Sequence, residues 1–266
     1  MEAGAATGSD VVSRSGSMVG KVAFVAGGSS GINLGIARGL SAEGAQVVLL
    51  SRDETKLQSA ATLISSEGGR ADWVAADVRD ADAVAVALRR SAERQGSFDV
   101  VVSGAAGNFL APANRLSSNG FRTVVDIDLV GTFNVFRHSY PHLRRPGASL
   151  VAISAPQAVR PMAEQAHAGA AKAGVNVLVK TLAMEWGREG IRVNAISPGF
   201  IADTEGTTRL ISTPEARERL LNTIPLGRLG TKDEIADLVL FLVGPKAGYI
   251  TGTVLDCDGG LILGTR

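Results

Sequence analysis

The sequence is poor in the residues that metal and disulfide chemistry require: one cysteine and three histidines among 266 residues. The single thiol, Cys257, excludes an intramolecular disulfide framework and fits a reducing compartment, and it reads equally as a small buried apolar residue. So few imidazoles and thiols supply no ligand set for a metal cluster. Charge of one sign is missing too. The 27 Lys and Arg against 26 Asp and Glu leave a formal net charge of +1 without blocks. No global field therefore attracts nucleic acid or an anionic membrane, and an anionic substrate must be held by a local cluster. No apolar run approaches the roughly 18 residues that a bilayer span needs, and residues 1–18 lack the apolar core of a secretory signal. These absences predict a soluble, cytoplasmic protein. Tyrosine is scarcer still than histidine, with only Tyr140 and Tyr249.

What is present is a core. At 45% hydrophobic content the chain suffices for one α/β domain, expected over residues 19–266, with the small, polar residues 1–18 read as a flexible tail. Short β-rich runs alternate with helical patterns: KVAFVAG then a helix from about Ile32, QVVLLS then a helix from Asp53, RADWVAAD then a helix from Asp80. FDVVVSG, ASLVAIS, IRVNAIS and TVLDC continue the series, with long helical patterns across 118–145 and 164–189. This βαβ rhythm predicts a doubly wound, seven-stranded parallel sheet. Most of its strands are expected to be buried on both faces, because they read as continuous apolar runs.

Ligands of such sheets gather beyond the carboxyl ends of the strands. The first such loop is AGGSSGINLG, which leaves KVAFV and opens a helix, so Gly27, Ser29, Ser30, Gly31, Ile32 and Asn33 are expected to cradle a dinucleotide pyrophosphate. At the end of the second strand, in LLSRDE, an enzyme for NAD would place an acid on the ribose hydroxyls; Arg52 stands there instead. Its guanidinium and the Ser51 hydroxyl favour the 2′-phosphate of NADP(H). Asp53 either caps the next helix or weakens that preference.

AGGSSGI, the ADV at 76–78, SGAAG at 103–107, Lys172 and NAISPG at 194–199 together resemble the short-chain dehydrogenase/reductase family, over about residues 18–263. The resemblance implies a single-domain Rossmann fold. It places Asp77 and Val78 at the adenine, Gly104, Ala105, Ala106 and Gly107 along the cofactor, and Pro198, Gly199, Phe200 and Ile201 at the nicotinamide. Longer strings, GAAGNFLAPA, DIDLVGTFNV, HAGAAKAGV, EWGREGIRVN and TEG at 204–206, are similar to the 2,4-dienoyl-CoA reductases, the peroxisomal type in particular. This chain departs from the pattern where Asn33 replaces the third glycine of the loop and Ala26 its usual threonine. It ends in GTR without the peroxisomal tripeptide, from which a bacterial-style cytoplasmic form is expected.

The family's ketoreductases use Asn, Ser, Tyr and Lys, the Tyr protonating a carbonyl oxygen. In this chain those positions read Asp128, Ala155, Ala168 and Lys172. A lost general acid costs about 10²–10⁴ in rate, so ketone chemistry is disfavoured. A conjugated dienoyl thioester instead takes hydride at its distal carbon and a proton at the carbon next to the thioester. The expected catalytic residues are Lys172, which also fixes the nicotinamide ribose, and Asp128 as proton relay, with a backbone hydrogen bond inside the long helix as the other reading of Asp128. Asp258 either joins them as the second acid that the resemblance implies or caps the DGG turn. Asn108 and Phe109 are the expected substrate contacts, with plain packing as the other reading of Phe109. Arg160, Arg209 and Arg228 are candidate partners for CoA phosphates. His167 reads as a pocket or interface residue. The expected function is NADPH-dependent reduction of 2,4-dienoyl-CoA in β-oxidation of unsaturated fatty acids, by a homotetramer built through 118–145 and 164–189. The alternatives are a reductase of another conjugated or acyl substrate and an inactive NADP-binding module.

Overall fold

Five-residue and six-residue runs of Val, Ala, Leu and Phe favour extended backbone and bury both faces. They form the centre of the sheet in the computed structural model, which describes residues 16–264. The strands are β1 (Val22–Ala26), β2 (Gln46–Ser51), β3 (Arg70–Ala75), β4 (Val100–Ser103), β5 (Ser149–Ile153), β6 (Arg192–Pro198) and β7 (Val254–Cys257). Among the described residues they make a seven-stranded sheet, every pairing parallel, in the order β3-β2-β1-β4-β5-β6-β7. The chain reverses its direction of travel between β1 and β4, where such sheets open a crevice for ligands. Every residue of β1, β4 and β5 is buried, whereas the edge strands β3 and β7 are only partly covered. Cys257 is half-buried in β7, and burial pushes its thiol up from the usual range.

Helices cover both faces: α1 (Gly31–Ala42), α2 (Glu54–Ser66), α3 (Ala81–Gln95), α4 (Ser118–Val125), α5 (Gly131–Ser139), α6 (Ala166–Trp186), α7 (Glu205–Leu210), α8 (Pro214–Leu221) and α9 (Lys232–Val243). Asp53 caps α2 and Asp80 caps α3, each side chain accepting from the backbone amide three residues on. The capping reading of Asp53 is thus the observed one. The predicted 118–145 helix is interrupted: a π turn over Asp126–Val130 separates α4 from α5, and the helix gives way to a short 3₁₀ segment at Tyr140–His142. The domain also begins before residue 19. Met18 is 1% exposed within the core, and its amide donates to the Glu43 carbonyl at 2.9 Å. The rest of the expected flexible tail, residues 1–15, and residues 265–266 lie outside the described residues.

A buried carboxylate ties the sheet at the non-catalytic end. Asp99, 6% exposed, accepts from the Val22 amide at 3.0 Å and from Arg144 Nε at 2.6 Å. Asp99→Ala leaves a buried strand amide without an acceptor, and the expected loss is about 1–3 kcal/mol. A lowered urea midpoint with an unchanged m-value is the measurement that checks it.

Candidate active site

A cleft of ≈ 700 Å³ lies across the carboxyl ends of β1, β4, β5 and β6. At one end the glycine loop lines it through Gly27, Ser29, Ser30, Gly31, Ile32 and Asn33. Gly27 has φ +82°, and a Cβ there would lie 2.8 Å from the Ala105 amide nitrogen, so a side chain would both strain the turn and fill the cradle. Ser30 at the N-cap of α1 makes no side-chain cap hydrogen bond, leaving the first-turn amides for a ligand. This cradle fits the pyrophosphate of a nicotinamide dinucleotide. Asn33 shows how its substitution is accommodated. Its Nδ2 donates to the Gly104 carbonyl at 2.7 Å, tying the loop to the end of β4, and its Oδ1 occupies the place where a Gly104 side chain would stand.

Ser51, Arg52, Asp77 and Val78 line the cleft at and beyond the ends of β2 and β3. Arg52 Nη1 lies 3.8 Å from Asp77 Oδ2, while Arg79 holds the same carboxylate at 2.6 Å. The Arg79 hydrogen bond holds Asp77 below the usual carboxylate range. Lys56, one turn into α2, also lines this end and is absent from the sequence reading. Only its spacing, four residues after Arg52, signals it, because an exposed lysine on a helix reads first as solvated surface.

At the other end lie Asp128 and Lys172, 2% and 5% exposed. Lys172 Nζ donates to the Ile153 carbonyl at 2.8 Å and stands 3.3 Å from Asp128 Oδ2, so two of the three ammonium protons have acceptors and one remains. Asp128 Oδ1 accepts from the Gly107 amide at 2.8 Å. The π turn places the acid in the wall of the cleft. The Gly131 amide reaches back to the Asp126 carbonyl, and Thr132 Oγ1 donates to the Asp128 carbonyl at 2.7 Å. Ala168 and Ala155 line the cleft where the family's Tyr and Ser would stand, and none of its lining residues is a tyrosine. Tyr140 spends its hydroxyl on Glu189 at 2.6 Å, and Tyr249 is fully exposed. Ser154, one residue before the vacated position, donates its proton to Asn176 Oδ1 at 2.6 Å.

Some expected residues stand elsewhere. Ala105, Ala106, Pro198, Gly199 and Phe200 line the cleft with Gly104, but Ile201 is 2% exposed in the core and bridges to Gly230. Gly107 acts through its amide, holding Asp128, rather than as a wall. Asp258 does not line the cleft: its two oxygens accept from the Gly260 and Ile262 amides, both at 2.8 Å, behind Gly199. Its capping role is the one the geometry displays. It holds the turn that carries Leu261 to the cleft wall. Of the candidate phosphate partners only Arg209 lines the cleft, paired with Glu205; Arg160 donates to the Leu261 carbonyl and Arg228 forms a two-pronged pair with Glu234.

Residues 26–262 match the family model described as Enoyl-(Acyl carrier protein) reductase. The chain is 44% identical, over 90% of its length and 83% of the relative's, to the rat (Rattus norvegicus) protein named peroxisomal 2,4-dienoyl-CoA reductase [(3E)-enoyl-CoA-producing]. A zebrafish (Danio rerio) protein of the same name is 42% identical over 90% of this chain and 81% of the relative. Among solved structures, a short-chain dehydrogenase/reductase from Serratia marcescens superposes with TM-score 0.86 at 31% identity, covering 92% of this chain and 99% of that one. The expectation of a cytoplasmic protein is corrected by the relatives' names, which point to peroxisomes.

Proposed function

The chain belongs to the short-chain dehydrogenase/reductase family, and from that premise we propose that it reduces 2,4-dienoyl-CoA thioesters with NADPH to (3E)-enoyl-CoA. The observation that carries this reading is the cleft itself: a buried Asp128–Lys172 pair on the wall and no tyrosine beside it. A ketone reductase must quench an alkoxide on oxygen, and nothing at Ala155 or Ala168 can give it a proton. A dienoyl thioester needs no such donor, because its proton ends on carbon.

Bound NADPH would supply hydride at the distal diene carbon. Lys172, with one ammonium proton uncommitted, holds the nicotinamide ribose and contributes positive charge near the developing dienolate. Asp128, directly or through water, relays a proton to the carbon next to the thioester. Hydride at the distal carbon and a proton beside the thioester move the remaining double bond to the middle of the former diene, which is the 3-enoyl product. Arg52 and Lys56 supply the cations for the 2′-phosphate, and Arg209 borders the thioester side of the cleft as a partner for CoA phosphate. Asp258 acts as a positioning residue behind Gly199. Exposed apolar side chains on the predicted assembly helices, Phe121 at 39%, Phe133 at 44% and Met184 at 84%, support the homotetramer.

The test is a substrate panel followed by loss of NADPH absorbance. Turnover of a 2,4-dienoyl-CoA is expected, at least about 10²-fold above 3-oxoacyl-CoA or simple ketones. Brisk ketone reduction with no dienoyl turnover overturns the assignment. Cofactor binding without turnover of any panel member identifies an inactive binding module instead.

A further inference from the structure

One polar pair in the cleft has no part in hydride delivery or in the Asp128–Lys172 contact. Gln165 begins α6 and is followed three and seven residues on by Ala168 and Lys172, a spacing that puts all three on one face of the helix, and all three line the cleft. His167 lies off that face. It is fully buried, neither of its nitrogens has a hydrogen-bond partner, and the ring of Phe109, itself a cleft residue, is edge-on to it with centroids 4.5 Å apart. Gln165 stands at the N-cap of α6, yet its side chain makes no cap hydrogen bond. Its Oε1 accepts instead from Asn108 Nδ2 at 3.0 Å, which joins the segment after β4 to the start of α6; the Ala111 amide, donating to the Glu164 carbonyl at 3.0 Å, closes the same junction. The other end of the carboxamide is open to a ligand. Nε2 meets only the Met162 sulfur, at 4.0 Å, and a thioether is a weak acceptor.

We infer that Gln165 Nε2 donates the hydrogen bond that holds the thioester carbonyl oxygen of the substrate, which makes Gln165 a further catalytic residue. On the dienoyl-thioester reading, on which this depends, hydride at the distal carbon drives the diene electrons onto that oxygen, and they return when the carbon next to the thioester takes its proton. The oxygen carries negative charge in between and ends without a proton. A carboxamide suits that demand, because its N–H donates a hydrogen bond and keeps its hydrogen. Lys172 divides its ammonium protons among the Ile153 carbonyl, Asp128 and, in the reaction proposed, the ribose, so the oxygen needs a donor of its own. Gln165 and Lys172 are two helical turns apart, about 10 Å along the axis, and Ala168 between them contributes only a methyl. An acyl group laid along this face has its reacting carbons toward Lys172 and its carbonyl toward Gln165. Gln157 also lines the cleft, but among the described residues no hydrogen bond aims its carboxamide. The bond from Asn108 fixes Gln165 before substrate arrives, and a donor set in advance costs no reorganisation when the charge develops.

The experiment records the absorbance of 2,4-hexadienoyl-CoA bound with NADP⁺, a complex that holds no hydride to transfer, beside kcat and KM with NADPH. In the wild type the diene band is expected at longer wavelength than for the free thioester, because a donor on the carbonyl oxygen draws charge along the conjugated system. Gln165→Leu is expected to abolish that shift and to lower kcat by about 10²–10³-fold, the cost of one oxyanion donor, with little change in KM. Gln165→Glu, the second variant, keeps an oxygen for Asn108. Its kcat is expected to fall at neutral pH and to recover as the pH drops and the carboxyl gains a proton to donate. A shift or a neutral-pH kcat that survives both substitutions overturns the inference, and so does a shift that is lost in Asn108→Ala or Gln157→Leu but kept in Gln165→Leu. The fate of the functional reading is separate. If the wild type reduces no dienoyl-CoA but still shifts the band, and Gln165→Leu abolishes the shift, the carbonyl site stands and the reaction assignment falls. A wild type that binds hexadienoyl-CoA without any shift overturns the carbonyl site whatever it turns over.

Discussion

Asp128→Asn is expected to lower kcat for dienoyl-CoA reduction by about 10²–10⁴-fold, the usual contribution of a positioned general acid, with NADPH affinity near that of the wild type. Asparagine keeps an oxygen for the Gly107 amide, which Asp128 Oδ1 accepts at 2.8 Å, so the loop after β4 holds its course. What is lost is the carboxylate that relays the proton, and with it the negative charge 3.3 Å from Lys172. Lys172 retains the Ile153 carbonyl, but its buried charge no longer has a counter-charge. A fall in thermal stability therefore accompanies the kinetic loss. The two effects separate in a solvent isotope experiment. Proton delivery to carbon gives the wild type a kcat that slows in D₂O, and a variant that is merely looser keeps that dependence. Full activity in Asp128→Asn removes the relay from the mechanism. An unchanged isotope effect with a small loss of rate reduces Asp128 to a structural partner of Lys172.

Backbone course and side-chain aim were legible to different degrees. The strands were readable because each is an unbroken apolar run closed by a turn residue, and β2 falls on QVVLLS without adjustment. Asp53 and Asp80 marked their helices because a carboxylate before a helix has one local task. The glycine loop was readable from its place between β1 and α1. The aim of a side chain beyond the end of a strand follows no period, and there the reading slipped. Ile201 and Phe200 are adjacent, yet one is core and the other cleft. Asp258 and Asp128 are both buried acids, but only one faces the cleft, because the DGG turn presents two amides to the other. The π turn that carries Asp128 into the cleft wall inserts its extra residue without any proline or glycine signature ahead of Gly131. Between β6 and β7 the sequence reading carried no helix, although Thr231 and Glu234 form a capping box at the start of α9. Met18 enters the core after a stretch of small polar residues whose composition resembles that of a tail.

Arg52→Ala is expected to weaken NADPH binding by about 10–150-fold, the range for losing a charge-assisted hydrogen bond, while NADH changes by less than about twofold. The asymmetry follows from the only chemical difference between the cofactors, the 2′-phosphate, and from what remains beside it. Asp77 stays charged, since Arg79 holds it below the ordinary carboxylate range, and without Arg52 at 3.8 Å its field turns against a phosphate. Lys56, on the same wall of the cleft, leaves part of the attraction in place. Lys56→Ala alone is therefore expected to cost less than Arg52→Ala, because a single flexible ammonium lacks the planar fork that matches a phosphate in two places. The double variant is expected to bind both cofactors alike. Salt provides an independent check: Arg52 is 65% exposed at its side chain, so raising ionic strength should narrow the NADPH preference of the wild type and leave the double variant unmoved. Equal losses for NADPH and NADH in Arg52→Ala would place the guanidinium on the adenine or the shared ribose instead, and the preference for the phosphorylated cofactor would then need another source.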